Sequence, residues 1–118
     1  MNLIANKSYN FSKRIVLLHK FLKEEKKEFV MSNQLLRSGT SIGANITEAL
    51  QGQSRADFIA KMNIALKETA ETEYWLNLLF DTGYLNRKES ESITKDCLEL
   101  KRILISIIKT CKNKEEYI

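Results

Sequence analysis

The chain has 118 residues, fewer than the roughly 250 at which hydrophobic cores begin to split, and its 43% hydrophobic and 29% charged content excludes a disordered or collagen-like chain. Nineteen lysines and arginines against fifteen acids give a formal charge of +4. Proline is absent, glycine occurs four times and histidine once, so continuous helices are favoured and a zinc site within one chain would lack ligands.

The N-terminal segment has no long apolar run, which argues against a secretory signal or a membrane span and for a cytoplasmic protein. Four stretches with an apolar period near 3.5 residues follow. The first is predicted over about 8–27, with Phe11, Ile15, Leu18 and Leu22 on one face and Val16, Leu17 and Phe21 widening it. The second, about 32–50, runs through Leu35, Gly39, Ile42, Ile46 and Ala49. Gly39 and Gly43 each cost about 1 kcal/mol relative to alanine in a helix. A helix that keeps both, beside Ser38, Ser41 and Ala44, implies close backbone approach by a neighbour, and Gly52 suits its end.

The third helix, about 54–82, opens with Ser54 as cap and Asp57 as its acidic partner. Its seam is Phe58, Met62, Ala65, Thr69, Thr72, Leu76 and Leu79, with Gly83 as the left-handed terminator. The fourth, about 87–112, follows Asn86 and Glu89 and runs through Ile93, Cys97, Leu100, Leu104, Ile107 and Cys111. Cys97 and Cys111 lie about 21 Å apart along that helix at ~1.5 Å per residue, too far to form a disulfide. Connections of a few residues force neighbours to run antiparallel. The expectation is all-α: one domain over 1–118, an antiparallel up-down-up-down four-helix bundle.

Tyr74, Trp75 and Leu78 on the third helix, and Leu98 and Ile105 on the fourth, fall outside the seams and are candidates for a homo-oligomer interface. A wide core arc is the alternative. Residues 1–37 hold eight basic residues against three acids. Lys13, Lys20, Lys23 and Lys27 recur at helical spacing and, with Arg14 and Arg37, form a candidate surface for RNA or DNA, with salt-dependent and sequence-tolerant binding. That signal is charge alone, without an interleaved aromatic platform, and a solvated face locally paired with Glu24, Glu25 and Glu28 competes with it. Glu68, Glu71 and Glu73 make an acidic stripe that either docks another subunit or another protein or is a solvated face.

Ser41, Asn45 and Glu48, beside Gly39 and Gly43, are expected to hydrogen-bond neighbouring helices, so that Asn45→Leu would cost at least about 1 kcal/mol. No nucleotide-binding glycine motif occurs. A di-metal bundle site would need Glu-x-x-His pairs and a hydrolytic triad would depend on His19, which sits in a plain helix. No catalytic residue, cofactor or metal is expected, and the protein reads as a non-enzyme.

The run from Arg37 to Ala49, RSGTSIGANITEA, resembles the signature of the bacterial four-helix proteins encoded in intervening sequences of 23S ribosomal RNA genes. The likeness continues through Asp57-Phe58, Ala65 to Glu68, Glu71 to Glu73 and Gly83 to Leu85. It implies a small cytoplasmic bundle assembled into a ring of five, with no catalytic residues. It also suggests similarity to accessory proteins of diversity-generating retroelements, which bind nucleic acid and a reverse transcriptase. The family is sometimes labelled ribosomal, but lying within a ribosomal RNA gene does not place a product in the ribosome.

Overall fold

The computed structural model describes residues 2–116, with side chains described to residue 113. Four helices follow in order: α1 (Leu3–Glu24), α2 (Val30–Leu50), α3 (Arg55–Asp81) and α4 (Arg87–Glu116). α1 starts more than a turn before the expected position because Asn2 caps it, its Oδ1 accepting from the amides of Ile4 at 3.0 Å and Ala5 at 3.2 Å. Ile4 and Ser8 then extend the buried face upstream of Phe11. The helix also ends earlier than expected, at Glu24. Lys27 adopts φ +55°, a left-handed conformation incompatible with continuing the helix.

The remaining boundaries follow from local chemistry. Glu28 accepts from the Ser32 amide at 2.8 Å and so supplies an acid at the start of α2. Ser54 caps α3 by accepting from the Asp57 amide at 3.0 Å, and Asn86 caps α4 by accepting from the Glu89 amide at 2.8 Å. α3 closes on Gly83 at φ +88°, with Tyr84 N–H donating to Leu79 O at 2.9 Å and Gly83 N–H to Phe80 O at 3.1 Å. α4 runs past the expected residue 112 because neither glycine nor proline interrupts the chain after Gly83.

The helices pack antiparallel around one apolar core. Phe11, Ile15 and Leu22 of α1, Leu35, Ile42 and Ile46 of α2, Met62, Leu76 and Leu79 of α3, and Leu100 and Leu104 of α4 are buried. Val16 and Leu17 do not widen this face as expected: they are 48% and 66% exposed, since both lie about a right angle or more around the helix from Ile15. Near the end of α4, Ile108 is buried and Ile107 only half-buried, because 3.6 residues per turn drifts from a strict heptad.

Polar residues enter the core in satisfied form. Thr72 donates to Glu68 O at 2.7 Å and its hydroxyl meets Ser38 Oγ of α2 at 3.1 Å, while Thr69 donates to Leu66 O at 2.6 Å. The Cys97 thiol lies 3.5 Å from Thr69 O. Burial, reinforced by Glu73, pushes this thiol up to about 12.

The glycines of α2 bring its backbone close to α1. A Cβ at Gly39 would lie 2.8 Å from both Cγ1 and Cγ2 of Ile15, and one at Gly43 would lie 3.2 Å from Ser12 Oγ and 3.4 Å from Ser8 O. Gly39→Ala should therefore destabilise by about 1–3 kcal/mol through overpacking, against the ~1 kcal/mol that alanine gains in an unconstrained helix. A thermal melt reads the sign directly, and an unchanged or raised Tm would show that α1 and α2 can separate freely.

Candidate nucleic-acid interface

Neither residues 1–23 nor residues 29–47 contain an aspartate or glutamate, so the outer side of the α1–α2 pair has no acid of its own along most of its length. Lys13, Lys20 and Lys23 are exposed on the side of α1 turned away from the core. None of them makes an ion pair with a described residue. Tyr9, 66% exposed, lies one turn before Lys13, whose Nζ sits 5.3 Å from the ring centroid. Tyr9 adds one ring beside the charge, short of an interleaved platform. Its spacing of four from Lys13 was visible, but placing the helix start at Ser8 left Tyr9 at a fraying end. Alongside, α2 contributes exposed, uncharged Asn33, Ala44 and Thr47, and His19 Nε2 meets Asn33 Oδ1 at 2.8 Å.

The other basic candidates are placed elsewhere. Arg14 faces α4, donating to Asp96 at 2.7 Å and Ser92 Oγ at 3.1 Å. Arg37 faces α3, paired with Glu71 and, at 3.5 Å, with Glu68. Lys27 lies in the turn beyond α1 and so does not prolong its lysine face. The structure thus gathers Lys13, Lys20 and Lys23, sets Lys27 past their end, and engages Arg14 and Arg37 in bracing helices together.

The polar residues near the glycines turn back onto their own helix. Ser41 donates to Arg37 O at 2.6 Å and Asn45 to Ser41 O at 2.8 Å, while Glu48 alone reaches a neighbour, Lys61 of α3 at 3.9 Å. Half-buried Asn45 therefore has no inter-helix partner to orphan, and the expectation for Asn45→Leu falls to within about 0.5 kcal/mol of neutral.

The apolar candidates sit on the far flank. Tyr74 is 58% and Ile105 46% exposed, while Trp75, Leu78 and Leu98 are half-buried. Trp75 donates to Glu71 at 3.0 Å and meets the Tyr74 ring edge-on at 5.0 Å. Leu98, Phe80 and Asn77 line a groove of about 390 Å³ between α3 and α4, where Thr94 Oγ1 is buried without a partner among the described residues. The acidic stripe is engaged internally, Glu68 and Glu71 by Arg37 and Glu73 by Lys101 at 3.5 Å. Among the described residues no His, Cys, Asp and Glu group could hold a metal ion, and no helix is long and apolar enough to cross a membrane.

The family model for the 23S rRNA-intervening sequence protein matches residues 2–106. The chain belongs to that family. A solved structure from Bacteroides thetaiotaomicron VPI-5482, described as a protein with unknown function from the S23 ribosomal protein family, is 64% identical, with a TM-score of 0.90 over 91% of this chain and 99% of that one. No curated protein matches the chain.

In this intervening-sequence family member the α1–α4 side is held by charge. Arg14–Asp96 is joined there by Lys7–Glu99, and shallow grooves of about 170 and 180 Å³ flank the two pairs. The Lys7 ammonium, hydrogen-bonded to Glu99, holds that carboxyl below the usual carboxylate range, with weaker help from Arg102 and Lys95. A depressed carboxyl stabilises the fold above its unfolded-state pKa and loses that contribution as the pH falls through its folded-state pKa. Lys7→Met should accordingly raise the Glu99 titration midpoint in an NMR pH series. The stability difference between the two proteins should also close in acid. A Glu99 midpoint that does not move would show that the pair is not formed in solution.

Proposed function

We propose that this protein is a non-enzymatic homo-oligomeric scaffold that binds RNA or DNA through the outer side of α1. The observation that carries the proposal is the exposure of Lys13, Lys20 and Lys23, without an ion pair to any described residue, on a stretch of chain that has no acids. Cations that already bridge helices, as Arg14 and Arg37 do, have little charge to offer a ligand. Cations on an outer ridge keep theirs. Lysines at helical spacing on one helix read phosphate rather than base, so the binding is tolerant of sequence and driven by counterion release. Tyr9, beside Lys13, offers one ring to an unpaired base, a contact worth ~1–3 kcal/mol where it forms.

Self-association is assigned to the opposite flank, on α3, where Tyr74 and Leu78 leave apolar area uncovered. Such an arrangement leaves α1 outward on every copy, so that a cytoplasmic ring, five-fold as the family resemblance implies, would present its lysines repeatedly. A protein-binding adaptor is the competing function, and the α3–α4 groove with the unpartnered Thr94 hydroxyl favours it.

Binding of purified protein to mixed-sequence RNA and duplex DNA across a salt series, on material of subunit number fixed by light scattering, separates the two. The scaffold predicts affinity that falls steeply with salt. Lys13→Gln/Lys20→Gln/Lys23→Gln should flatten the slope by about two to three, and Lys20→Glu/Lys23→Glu should abolish binding. No binding even at low salt would overturn the nucleic-acid function and leave the adaptor.

A further inference from the structure

α4 carries a line of cations that the charge analysis of the first helix did not include. Lys88, Lys95, Arg102 and Lys109 recur at intervals of seven residues. In a continuous helix this places them on one side, rotating by only ~20° per step, about 10 Å apart and about 31 Å from first to last. All four are exposed, and none makes an ion pair with a described residue. Of the four α4 acids within a turn of these cations, Glu91 pairs with Arg87 at 3.9 Å, Glu99 with Lys7 and Asp96 with Arg14 of α1, while Glu89 makes no ion pair with a described residue. This ridge along the outside of the bundle therefore carries an excess of positive charge, with Glu91 and Glu99 set among its cations.

We infer that this ridge is a second phosphate-backbone contact, one that takes a nucleic-acid duplex lying along α4. It extends the proposed nucleic-acid function but stands on a different helix and different residues. Three observations select the occupant. A second copy of the chain has no matching line of acids to offer, since Glu48, Glu68, Glu71, Glu73 and Asp96 are paired within their own bundle and the acids outside these pairs, such as Glu24, Glu25, Asp57, Asp81 and Glu89, are scattered at helix ends. The length and even pitch of the ridge suit a long, regular polyanion. At 3.4 Å per phosphate along each strand, 31 Å corresponds to about nine base pairs, and duplex DNA is stiff over far longer distances. Of the apolar residues flanking the ridge, Leu98 and Ile105 are aliphatic, and the half-buried ring of Phe80, which lines the groove with Leu98, is already met by Arg87 at 5.5 Å, so little aromatic face is left for stacking an unpaired base. The ridge consequently reads charge and shape but not sequence.

The test is a salt titration of affinity for a mixed-sequence duplex, carried out on the full chain. The protein is compared with Lys88→Gln/Lys95→Gln/Arg102→Gln/Lys109→Gln and with Lys13→Gln/Lys20→Gln/Lys23→Gln. Because the four α4 side chains are exposed, far-ultraviolet circular dichroism and the thermal melt should be retained. The pair Lys95→Gln/Arg102→Gln repeats the measurement with half the change. The inference expects the fourfold α4 variant to flatten the slope of log affinity against log salt by about three to four, and the pair by about two. A fourfold variant with unchanged slope and affinity overturns the α4 contact while leaving the α1 site standing. Loss in the α4 variant with no change in the α1 variant keeps the ridge and overturns the α1 site. Failure of the unaltered protein to bind duplex overturns the α4 contact, and failure to bind mixed-sequence RNA as well overturns the α1 site with it. Equal affinity for polyglutamate of matched charge would assign the ridge to an acidic protein and overturn the duplex assignment.

Discussion

The close approach of α2 to α1 is the constraint on which the rest of the arrangement depends. With Ile15 packed against the bare backbone at Gly39, and Ser8 and Ser12 against Gly43, the two helices cannot be moved apart without emptying the space that those glycines create. They cannot approach more closely either, because backbone already meets side chain. This fixes the rotation of α1 about its axis: Ile4, Phe11, Ile15 and Leu22 are committed inward, and everything half a turn away is committed outward. Lys13, Lys20, Tyr9, Val16 and Leu17 are exposed for that reason. The small residues of α2 and the outward-facing lysines of α1 are thus two consequences of one packing choice, which interdigitates side chain and backbone at the density usual for protein interiors.

Charge in this chain is divided by place. Acids on α3 and α4 are spent on inter-helix bracing: Glu68 and Glu71 with Arg37, Glu73 with Lys101, Asp96 with Arg14 and Glu99 with Lys7. Pairs of this exposure contribute little stability individually, typically below ~1 kcal/mol, so their main effect is on the field outside. Each brace neutralises one cation and one anion at an inner edge, and the surplus positive charge is left on the outer ridges. A net charge of only +4 is therefore a poor measure of the potential that an approaching polyanion meets.

Most of the fold was legible in the sequence because the signals were local and redundant. The Ser54 and Asn86 caps, the Gly83 terminator and the seam from Met62 to Leu79 each express one turn of chemistry, and the structure contains them all. The family resemblance carried by Arg37 to Ala49 is likewise sound, since the family model spans residues 2–106. Errors arose where a single residue decided the matter. Asn2 capped α1 upstream of an apolar period that begins clearly only at Phe11, and Lys27 ended it in a conformation that lysine rarely adopts. The direction of polar side chains was not legible at all. Ser41 and Asn45 had equally good partners in a neighbouring helix and in the carbonyl one turn back, and only the packed structure shows that they take the latter. Arg14 and Arg37 looked like their lysine neighbours until their acids, distant in sequence, were brought beside them.

A surface of this kind gains its effect from repetition. Three lysines on one helix, without base contacts, support only the weak binding characteristic of sequence-independent electrostatics, with Kd values of ~10⁻⁴–10⁻⁶ M at physiological salt. In the proposed assembly each further copy meets a strand already held nearby, so its binding becomes effectively intramolecular and overall avidity can rise by ~10²–10⁴ without any new type of contact. Affinity then depends on subunit number as strongly as on any side chain. Substitutions that disturb self-association at Tyr74 or Leu78 would weaken nucleic-acid binding without touching a single lysine. Specificity, in turn, would come from the spacing of the ridges around the assembly, because nothing on α1 reaches for the edge of a base.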